Sequence, residues 1–195
     1  NFDEMAFNLT DGNAAAAHTL TVNALNAGAI KFKLSGATGT NANDDSLSLT
    51  NVAAGTTLEL NNSTNLNLTA DYVAAATSST ADEVSLTVNG MASAANTGVV
   101  TVGTGGGTGF ETVNIVSTGS ASTIGQLASG ATTINVSGAA NLTVTADIEA
   151  TTDVLNASGL NGNLSVTLAN TGGERPDGDA VNDLADLTVT GGAGN

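Results

Sequence analysis

Apolar residues recur at every second position in two stretches of the chain that match each other without a gap. The first stretch is Thr56–Asp71 (TTLELNNSTNLNLTAD) and the second is Thr132–Asp147 (TTINVSGAANLTVTAD), at an offset of 76 residues. Alternation of apolar and polar residues is typical of a β-strand with one buried face, and not of a helix. Each copy therefore predicts two short strands joined by a polar turn and ended by an aspartate.

Matching segments on either side extend the duplication when small insertions are allowed. A repeat of strand units at a fixed period indicates a solenoid or an array of like modules. We therefore divide the chain into residues 1–42 (the end of a preceding module), 43–107 (module A) and 108–195 (module B), with one continuous solenoid as the alternative. Because the pattern begins and ends within a module, we expect the chain to be a piece of a longer protein. The flanking matches pair Leu47–Leu49 with Val113–Ile115, Val84–Val88 with Leu164–Leu168, and Val22–Gly39 with Leu155–Gly173.

The same alternation predicts short strands along the rest of the chain, separated by turns rich in Gly, Asn, Asp and Ser. This spacing is compatible with a β-solenoid and with tandem β-sandwich modules. The two ungapped copies, Thr56–Asp71 and Thr132–Asp147, lack the Asn-Gly and Asp-Gly turns expected of hairpins, and their outward Thr, Ser and Asn would stack well in successive layers. We therefore expect an all-β fold, a right-handed parallel β-solenoid (β-helix) of short repeated rungs, with tandem β-sandwich modules as the alternative. Strands are predicted near residues 2–9, 19–25, 29–35, 46–50, 56–61, 65–70, 84–89, 98–102, 111–116, 132–137, 141–146, 153–157, 163–169 and 186–190.

The charge balance is strongly acidic, with 18 Asp and Glu against three Lys and Arg and a formal net charge of −15. Such a charge repels nucleic acid and anionic membranes, and it destabilises a compact state by self-repulsion. Because the aspartates cluster at turns, calcium is the cation we expect to neutralise them; the alternative is an acidic surface that keeps the protein soluble. The chain has no cysteine, which excludes disulfides and zinc–thiolate sites. No apolar run reaches the length of a membrane-spanning helix.

The densest acidic patch, Asp177–Asp186, is the main candidate calcium site. Carboxylates two residues apart around Gly178 can face one side of a loop and share a cation that prefers oxygen ligands; the alternative is a solvated acidic loop. Other carboxylates stand just before predicted strands. Asp71 and Asp147 occupy the same repeat position, where they either cap a turn through side-chain hydrogen bonds or bind equivalent cations. The predicted metal ligands are Asp177, Asp179, Asn182, Asp183, Asp186, Asp147, Asp71, Asp44, Asp45 and Asp82.

Groups for catalysis are sparse. His18 is the single histidine, and no obvious nucleophile accompanies it, so we interpret it as an exposed turn residue. The many carboxylates do not exclude a glycosidase pair by spacing. A carbohydrate-cleaving β-helix would, however, carry basic and aromatic residues for sugar binding, and only 3% of this chain is aromatic. We therefore predict that the protein is not an enzyme.

Three segments of the second half carry a family resemblance: Gly109–Ile115 (GFETVNI), Thr133–Gly138 (TINVSG) and Leu155–Gly162 (LNASGLNG). They resemble the calcium-dependent S-layer proteins of Gram-negative bacteria, a family of RTX-type secreted surface proteins. The closing Gly191–Asn195 resembles the first half of the nonapeptide GGxGxDxUx, which binds calcium in parallel β-rolls. The first half of the chain shares this resemblance only through the internal duplication. Asn156 stands where the family pattern has an aspartate, and the nonapeptide aspartate lies beyond the last residue.

The resemblance implies a β-rich, largely solenoidal protein that binds many calcium ions, leaves the cell by type I secretion and covers the cell surface. We expect a structural segment of an extracellular surface layer that assembles with copies of itself into a lattice or sheath, with calcium as the cofactor. The alternative is a spacer or stalk of a secreted RTX-type adhesin. We expect no nucleic-acid partner and no membrane insertion; cell-surface polysaccharide is a candidate partner through regions outside this chain.

Overall fold

The computed structural model describes residues 3–10, 18–37, 45–93, 98–105, 109–149, 151–168 and 187–194, and these residues are almost entirely β-structure. Within them the chain forms sixteen strands and one short 3-10 helix, Ala74–Thr77. The strands are β1 (Glu4–Thr10), β2 (Thr19–Asn23), β3 (Lys31–Ala37), β4 (Ser46–Val52), β5 (Thr57–Thr64), β6 (Asn67–Tyr72), β7 (Glu83–Asn89), β8 (Val99–Gly103), β9 (Thr112–Ser117), β10 (Ser122–Ile124), β11 (Gln126–Ala128), β12 (Thr133–Gly138), β13 (Leu142–Ile148), β14 (Val154–Leu160), β15 (Leu164–Leu168) and β16 (Thr188–Thr190).

All of the strand pairs in the described part of the chain are parallel. A long sheet of eight strands has the order β1-β3-β5-β7-β9-β12-β14-β16, a medium sheet of five has the order β11-β8-β6-β4-β2, and a short sheet of three has the order β10-β13-β15. Except for β10 and β11, which follow each other in the short and medium sheets, successive strands alternate between the long sheet and the other two. A strand of the long sheet and the strand or strands that follow it in the other sheets form a layer, which we call a rung. The fold is thus all-β with stacked parallel strands, which is compatible with a solenoid. The antiparallel pairing of a β-sandwich does not occur among these strands.

The ungapped sequence repeat corresponds to one rung in each copy. Thr56–Asp71 supplies β5 and β6, and Thr132–Asp147 supplies β12 and β13. The first strands of the two copies both lie in the long sheet, whereas β6 lies in the medium sheet and β13 in the short one. The flanking matches differ as well: Val84–Val88 lies in the long sheet and Leu164–Leu168 in the short one. Every strand has the same alternation, so sequence similarity alone does not distinguish one sheet from another. Strands pair across both proposed module boundaries, β3 with β5 and β7 with β9, and the division into modules stays a prediction.

The strands form because each buries alternate residues against a single apolar cluster that runs through the stack. Along β5, for example, Leu58 and Leu60 are 1% and 0% exposed, whereas Thr57 is exposed on the outer side of the strand. The core is built mostly from Leu, Val, Ile and Ala, and it also includes the polar ring of Tyr72, which is accommodated by a hydrogen bond. Its hydroxyl donates to the Thr56 carbonyl oxygen at 2.9 Å, its ring packs edge-on against Phe110, and burial raises the pKa of its phenol well above the usual range.

Fourteen of the described strands lie where the alternation predicts them, with ends shifted by a few residues. The exceptions are β10 and β11, which the sequence analysis missed. Each has three residues, with Gly125 between them, so neither is long enough to show an alternating pattern.

Strands bend at corners where the register shifts by a residue. The pairing of β3 with β5 shifts between Leu34 and Gly36, opposite Asn62, and Asn62 has a positive φ of 49°. Asparagine tolerates this left-handed conformation better than most residues. Gly36 has φ 137° and packs so closely that a Cβ there would lie 1.7 Å from the Leu9 carbonyl oxygen. Only glycine allows β1 and β3 to approach at this bend.

Truncation of a central leucine tests the stacked core. We expect Leu60→Ala to lower the free energy of unfolding by about 2–5 kcal/mol, because it removes buried methyl groups and leaves a cavity. Leu25→Ala is the matched control: Leu25 is 61% exposed, and its truncation should change stability by less than about 0.5 kcal/mol. Urea titration followed by circular dichroism measures both, and equal losses would contradict the burial pattern.

Candidate functional site

Six of the ten predicted calcium ligands lie outside the described residues, and five of them belong to the acidic patch between β15 and β16. The other four occupy strand ends and corners of different rungs. Among the described residues, no group of three or more His, Cys, Asp or Glu is arranged so that it could hold a metal ion. The six are Asp44, Asp177, Asp179, Asn182, Asp183 and Asp186.

Asp45 and Asp82 each precede a strand, as predicted, and each accepts hydrogen bonds from the protein. Asp45 is 5% exposed, and its Oδ1 accepts the backbone N–H of His18 at 2.9 Å, with His18 Nδ1 3.4 Å away. Both oxygens of Asp82 accept hydrogen bonds from Ser79, from its N–H and its hydroxyl, at 2.7 Å. Asp82 thus closes a local turn, whereas Asp45 joins two segments that lie 27 residues apart in the chain.

Asp71 and Asp147 have different surroundings despite their identical repeat position. Asp71 Oδ1 accepts the backbone N–H of Gly105 at 2.8 Å, across to the next rung, which is the turn-capping role. Asp147 is exposed and follows a register shift between β13 and β15. The strand bearing Asp71 pairs with β8 in unbroken register. The difference between the two aspartates thus follows from the neighbouring strand and not from their own segment.

Glu111 and Glu149 take part in the same kind of contact, and the sequence analysis did not identify them. Glu111 Oε2 accepts the N–H of Asp82 at 2.8 Å. Glu149 Oε2 accepts two N–H groups at the adjacent corner, from Ser129 at 3.1 Å and from Gly130 at 2.8 Å. Each is an acidic residue immediately beside a strand end. The position of Asp45 and Asp82 beside a predicted strand is what identified those two as candidates.

Asparagine side chains provide neutral versions of this contact. Asn67, Asn89 and Asn141 accept the backbone N–H of Val99, Ser120 and Asn163 at 2.7, 3.0 and 2.8 Å. Each contact joins a side chain of one rung to the backbone of the next. We call Asp45, Asp71, Glu111, Glu149 and these three asparagines the corner acceptors. They satisfy backbone N–H groups where the strand ladder is interrupted, and unsatisfied buried donors would destabilise the fold.

A row of asparagines runs along the outer face of the long sheet. Asn114, Asn135 and Asn156 are in register on β9, β12 and β14. Asn135 Nδ2 donates to Asn114 Oδ1 at 2.9 Å, and Asn156 Nδ2 donates to Asn135 Oδ1 at 3.3 Å. An aspartate at position 156 would lack this donor. The ladder gives a physical reason for asparagine at the position where the S-layer pattern has an aspartate.

Both lysines of the chain form one ion-pair network with Glu4 and Glu59 across β1, β3 and β5. Lys31 contacts Glu4 and also Glu59 Oε2, at 3.1 Å for the latter, and Lys33 contacts Glu59 Oε1 at 3.1 Å. Hydrogen bonds to Glu4 and then to Glu59 raise the pKa of Lys31. Burial raises the pKa of Glu59, but hydrogen bonds from the two lysines outweigh this effect and the pKa is lowered.

Two cavities lie at the two ends of the stack. One, of about 430 Å³, is lined by residues of β1 and β2 together with His18 and Asp45. The other, of about 470 Å³, lies beside β14, β15 and β16 and is lined largely by apolar residues such as Leu160, Val166 and Val189. The described large apolar residues that are most exposed belong to the same ends of the stack: Leu20 at 40%, Leu25 at 61% and Val189 at 53%.

In the part of the chain that is described, no helix has the length and apolarity needed to cross a membrane.

Removal of one corner acceptor tests this group. We expect Glu149→Ala to lower the free energy of unfolding by about 1–3 kcal/mol, because the N–H groups of Ser129 and Gly130 lose their acceptor and Ser129 is buried. Asp147→Ala removes an exposed carboxylate two residues away and should change stability by less than about 0.5 kcal/mol. Both are measured by urea titration with a chelator present, so that calcium does not contribute. A loss at Asp147 as large as that at Glu149 would contradict this account.

The ion-pair network gives a defined dependence on pH. The pKa of Glu59 is lower in the folded protein, so its stabilising effect is complete above the unfolded pKa of about 4.3 and disappears as the pH falls through the folded value. The difference in unfolding free energy between wild type and Glu59→Gln should therefore be constant between about pH 6 and 8 and shrink below about pH 4. Glu83→Gln, on the neighbouring strand without an ion pair, is the control. A difference for Glu59→Gln that stays constant down to acid pH would contradict the assignment.

Comparison of the chain with protein-family models, with curated proteins and with solved structures gives no match. The resemblance to calcium-dependent S-layer proteins therefore rests on the sequence motifs alone. The function has to be argued from the geometry of this chain.

Proposed function

We propose that this chain is a segment of a right-handed parallel β-solenoid that serves as structural material of an extracellular surface layer, stabilised by calcium and assembled with copies of itself into a lattice or sheath. The observation that carries the proposal is the parallel stacking of rungs throughout the described strands. Connections between parallel strands of one sheet are right-handed in about 98% of cases, which supports the handedness. The S-layer resemblance supports the location at the cell surface after type I secretion.

A structural role fits the extended outer faces of the stack. With strands about 4.8 Å apart, the eight strands of the long sheet span roughly 34 Å. Short neutral side chains cover much of this face, including the ladder of Asn114, Asn135 and Asn156. A stiff, flat element of this kind suits a building unit that packs against copies of itself.

We place the proposed calcium in the loop between β15 and β16. Among the described residues no three acidic or histidine side chains are grouped so that they could hold a metal ion, so the described carboxylates offer no ready ligand set. The loop carries Asp177, Asp179, Asn182, Asp183 and Asp186. These side chains supply the oxygen ligands that calcium prefers, and calcium requires six to eight oxygens in total. A cation bound there would reduce the net negative charge of the chain.

A spacer or stalk of a secreted adhesin is the second candidate function. The corner acceptors favour it, because contacts such as those of Asp71 and Glu149 stabilise the corners without a cation. A rod that folds alone and stays monomeric would separate a binding domain from the cell surface. The two functions differ in whether calcium is needed for folding and assembly.

Calcium addition and removal test the first function. We expect millimolar calcium to raise the free energy of unfolding by about 2.7 kcal/mol per site when its concentration is a hundred times the Kd. We expect sheets or filaments in negative-stain micrographs that dissolve on chelation. The triple variant Asp177→Asn/Asp179→Asn/Asp183→Asn should lose the calcium-dependent stabilisation.

A matched variant separates specific binding from general relief of charge repulsion. Asp3→Asn/Glu83→Gln/Asp153→Asn removes the same number of charges outside the loop and should keep the full calcium effect. If both triple variants lost the calcium-dependent stabilisation equally, calcium would act only by screening the negative charge. A wild-type monomer that is equally folded with and without calcium would overturn the surface-layer proposal and favour the spacer.

A further inference from the structure

Two Asn-Gly sequences stand in the described part of the chain, and their surroundings differ. Asn89-Gly90 follows β7, and Asn161-Gly162 forms the turn between β14 and β15. Asparagine followed by glycine is the pair most open to intramolecular attack, since glycine has no side chain to shield its backbone nitrogen. The two pairs therefore allow a comparison of the same chemistry within one molecule.

Hydrogen bonds hold every reacting group of the Asn89-Gly90 pair. Asn89 Nδ2 donates to Asn61 Oδ1 at 2.8 Å, and Asn89 Oδ1 accepts the N–H of Ser120 at 3.0 Å. The Gly90 N–H donates to the Ser120 carbonyl oxygen at 3.2 Å. Attack of the Gly90 nitrogen on the Asn89 side chain would require all three hydrogen bonds to break.

The Asn161-Gly162 pair lacks this protection. Asn161 is exposed, and no described residue forms a hydrogen bond with its side-chain amide or with the Gly162 N–H. The backbone on either side is fixed: the Asn161 N–H donates to the Gly138 carbonyl oxygen, and the Asn163 N–H donates to Asn141 Oδ1, both at 2.8 Å. The reacting nitrogen and amide thus lie in an ordered, solvent-facing turn with neither of them engaged.

We propose that Asn161 is a site of spontaneous deamidation in the folded protein, and that Asn89 is protected. The Gly162 backbone nitrogen forms a bond to Asn161 Cγ and loses its proton, while the bond from Cγ to Nδ2 breaks and ammonia leaves. The product is a five-membered succinimide. Water then opens one of its two carbonyls and gives either aspartate or isoaspartate at position 161.

The consequence depends on which bond water opens. Aspartate adds one negative charge to a chain that already carries −15. Isoaspartate also inserts a methylene group into the backbone between β14 and β15, where the Gly162 carbonyl oxygen lies so close to Gly194 that a Cβ there would lie 2.0 Å away. Isoaspartate would therefore displace the turn against the segment that follows β16.

Incubation of the full chain at mildly alkaline pH, followed by proteolysis and mass spectrometry, tests the proposal. We expect deamidation at Asn161 on the order of tenfold or more faster than at Asn89, because Asn89 must first lose three hydrogen bonds. In concentrated urea the two sites should react at nearly equal rates. Cleavage that distinguishes isoaspartate from aspartate identifies both products.

Two variants keep the inference falsifiable. Asn161→Gln should abolish the reaction at this position, because a glutamine requires a less favourable six-membered ring. Asn61→Ala removes the acceptor for Asn89 Nδ2 and should raise deamidation at Asn89 severalfold while leaving the rate at Asn161 unchanged. Equal rates at the two asparagines in the folded wild type, or no product at Asn161, would overturn the proposal.

Discussion

Parallel backbone pairing between rungs is the constraint on which the rest of this structure depends. It places each side chain about 4.8 Å from its counterpart in the next strand, so a residue is selected for how it stacks. Inward rows are continuous: Leu47, Leu68 and Val100 follow one another in register, and all are buried. The outward rows are built in the same way from amides and hydroxyls. Each of these groups can donate a hydrogen bond to one neighbour in the row and accept one from the other.

The same constraint governs where the negative charge is located. Like charges directly opposite each other on neighbouring strands are destabilising, and in the described strands no carboxylate pairs in register with another. Glu4 faces Lys31 and Glu59 faces Lys33, while Asp71 faces Gly103. The remaining described carboxylates stand mostly at corners, where they accept backbone N–H groups. A net charge of −15 is thus compatible with close stacking because the rows themselves are mostly neutral.

Alternation in the sequence was sufficient to predict nearly all of the described strands, because one-sided burial is a property of each strand alone. It failed for β10 and β11, which are too short to show a period. The corner acceptors were predicted only in part. Whether Glu149 meets an N–H group depends on the neighbouring rung, some twenty residues away, and rung lengths vary. Asp71 and Asp147 illustrate the limit: they hold the same repeat position, but Asp71 lies beside an unbroken pairing with β8 and Asp147 follows a register shift between β13 and β15.

The number of residues in a rung varies in this fold, while stacked residues stay in register. Asn61 and Asn89 are stacked partners 28 residues apart, whereas Asn114 and Asn135 are stacked partners 21 residues apart. The additional residues lie at corners, as the short helix Ala74–Thr77 does between β6 and β7, and the ladder continues on either side. Corners of this kind can change length and sequence without altering the strands. The scaffold could therefore display foreign peptides or antigenic loops at its corners while its faces stay constant.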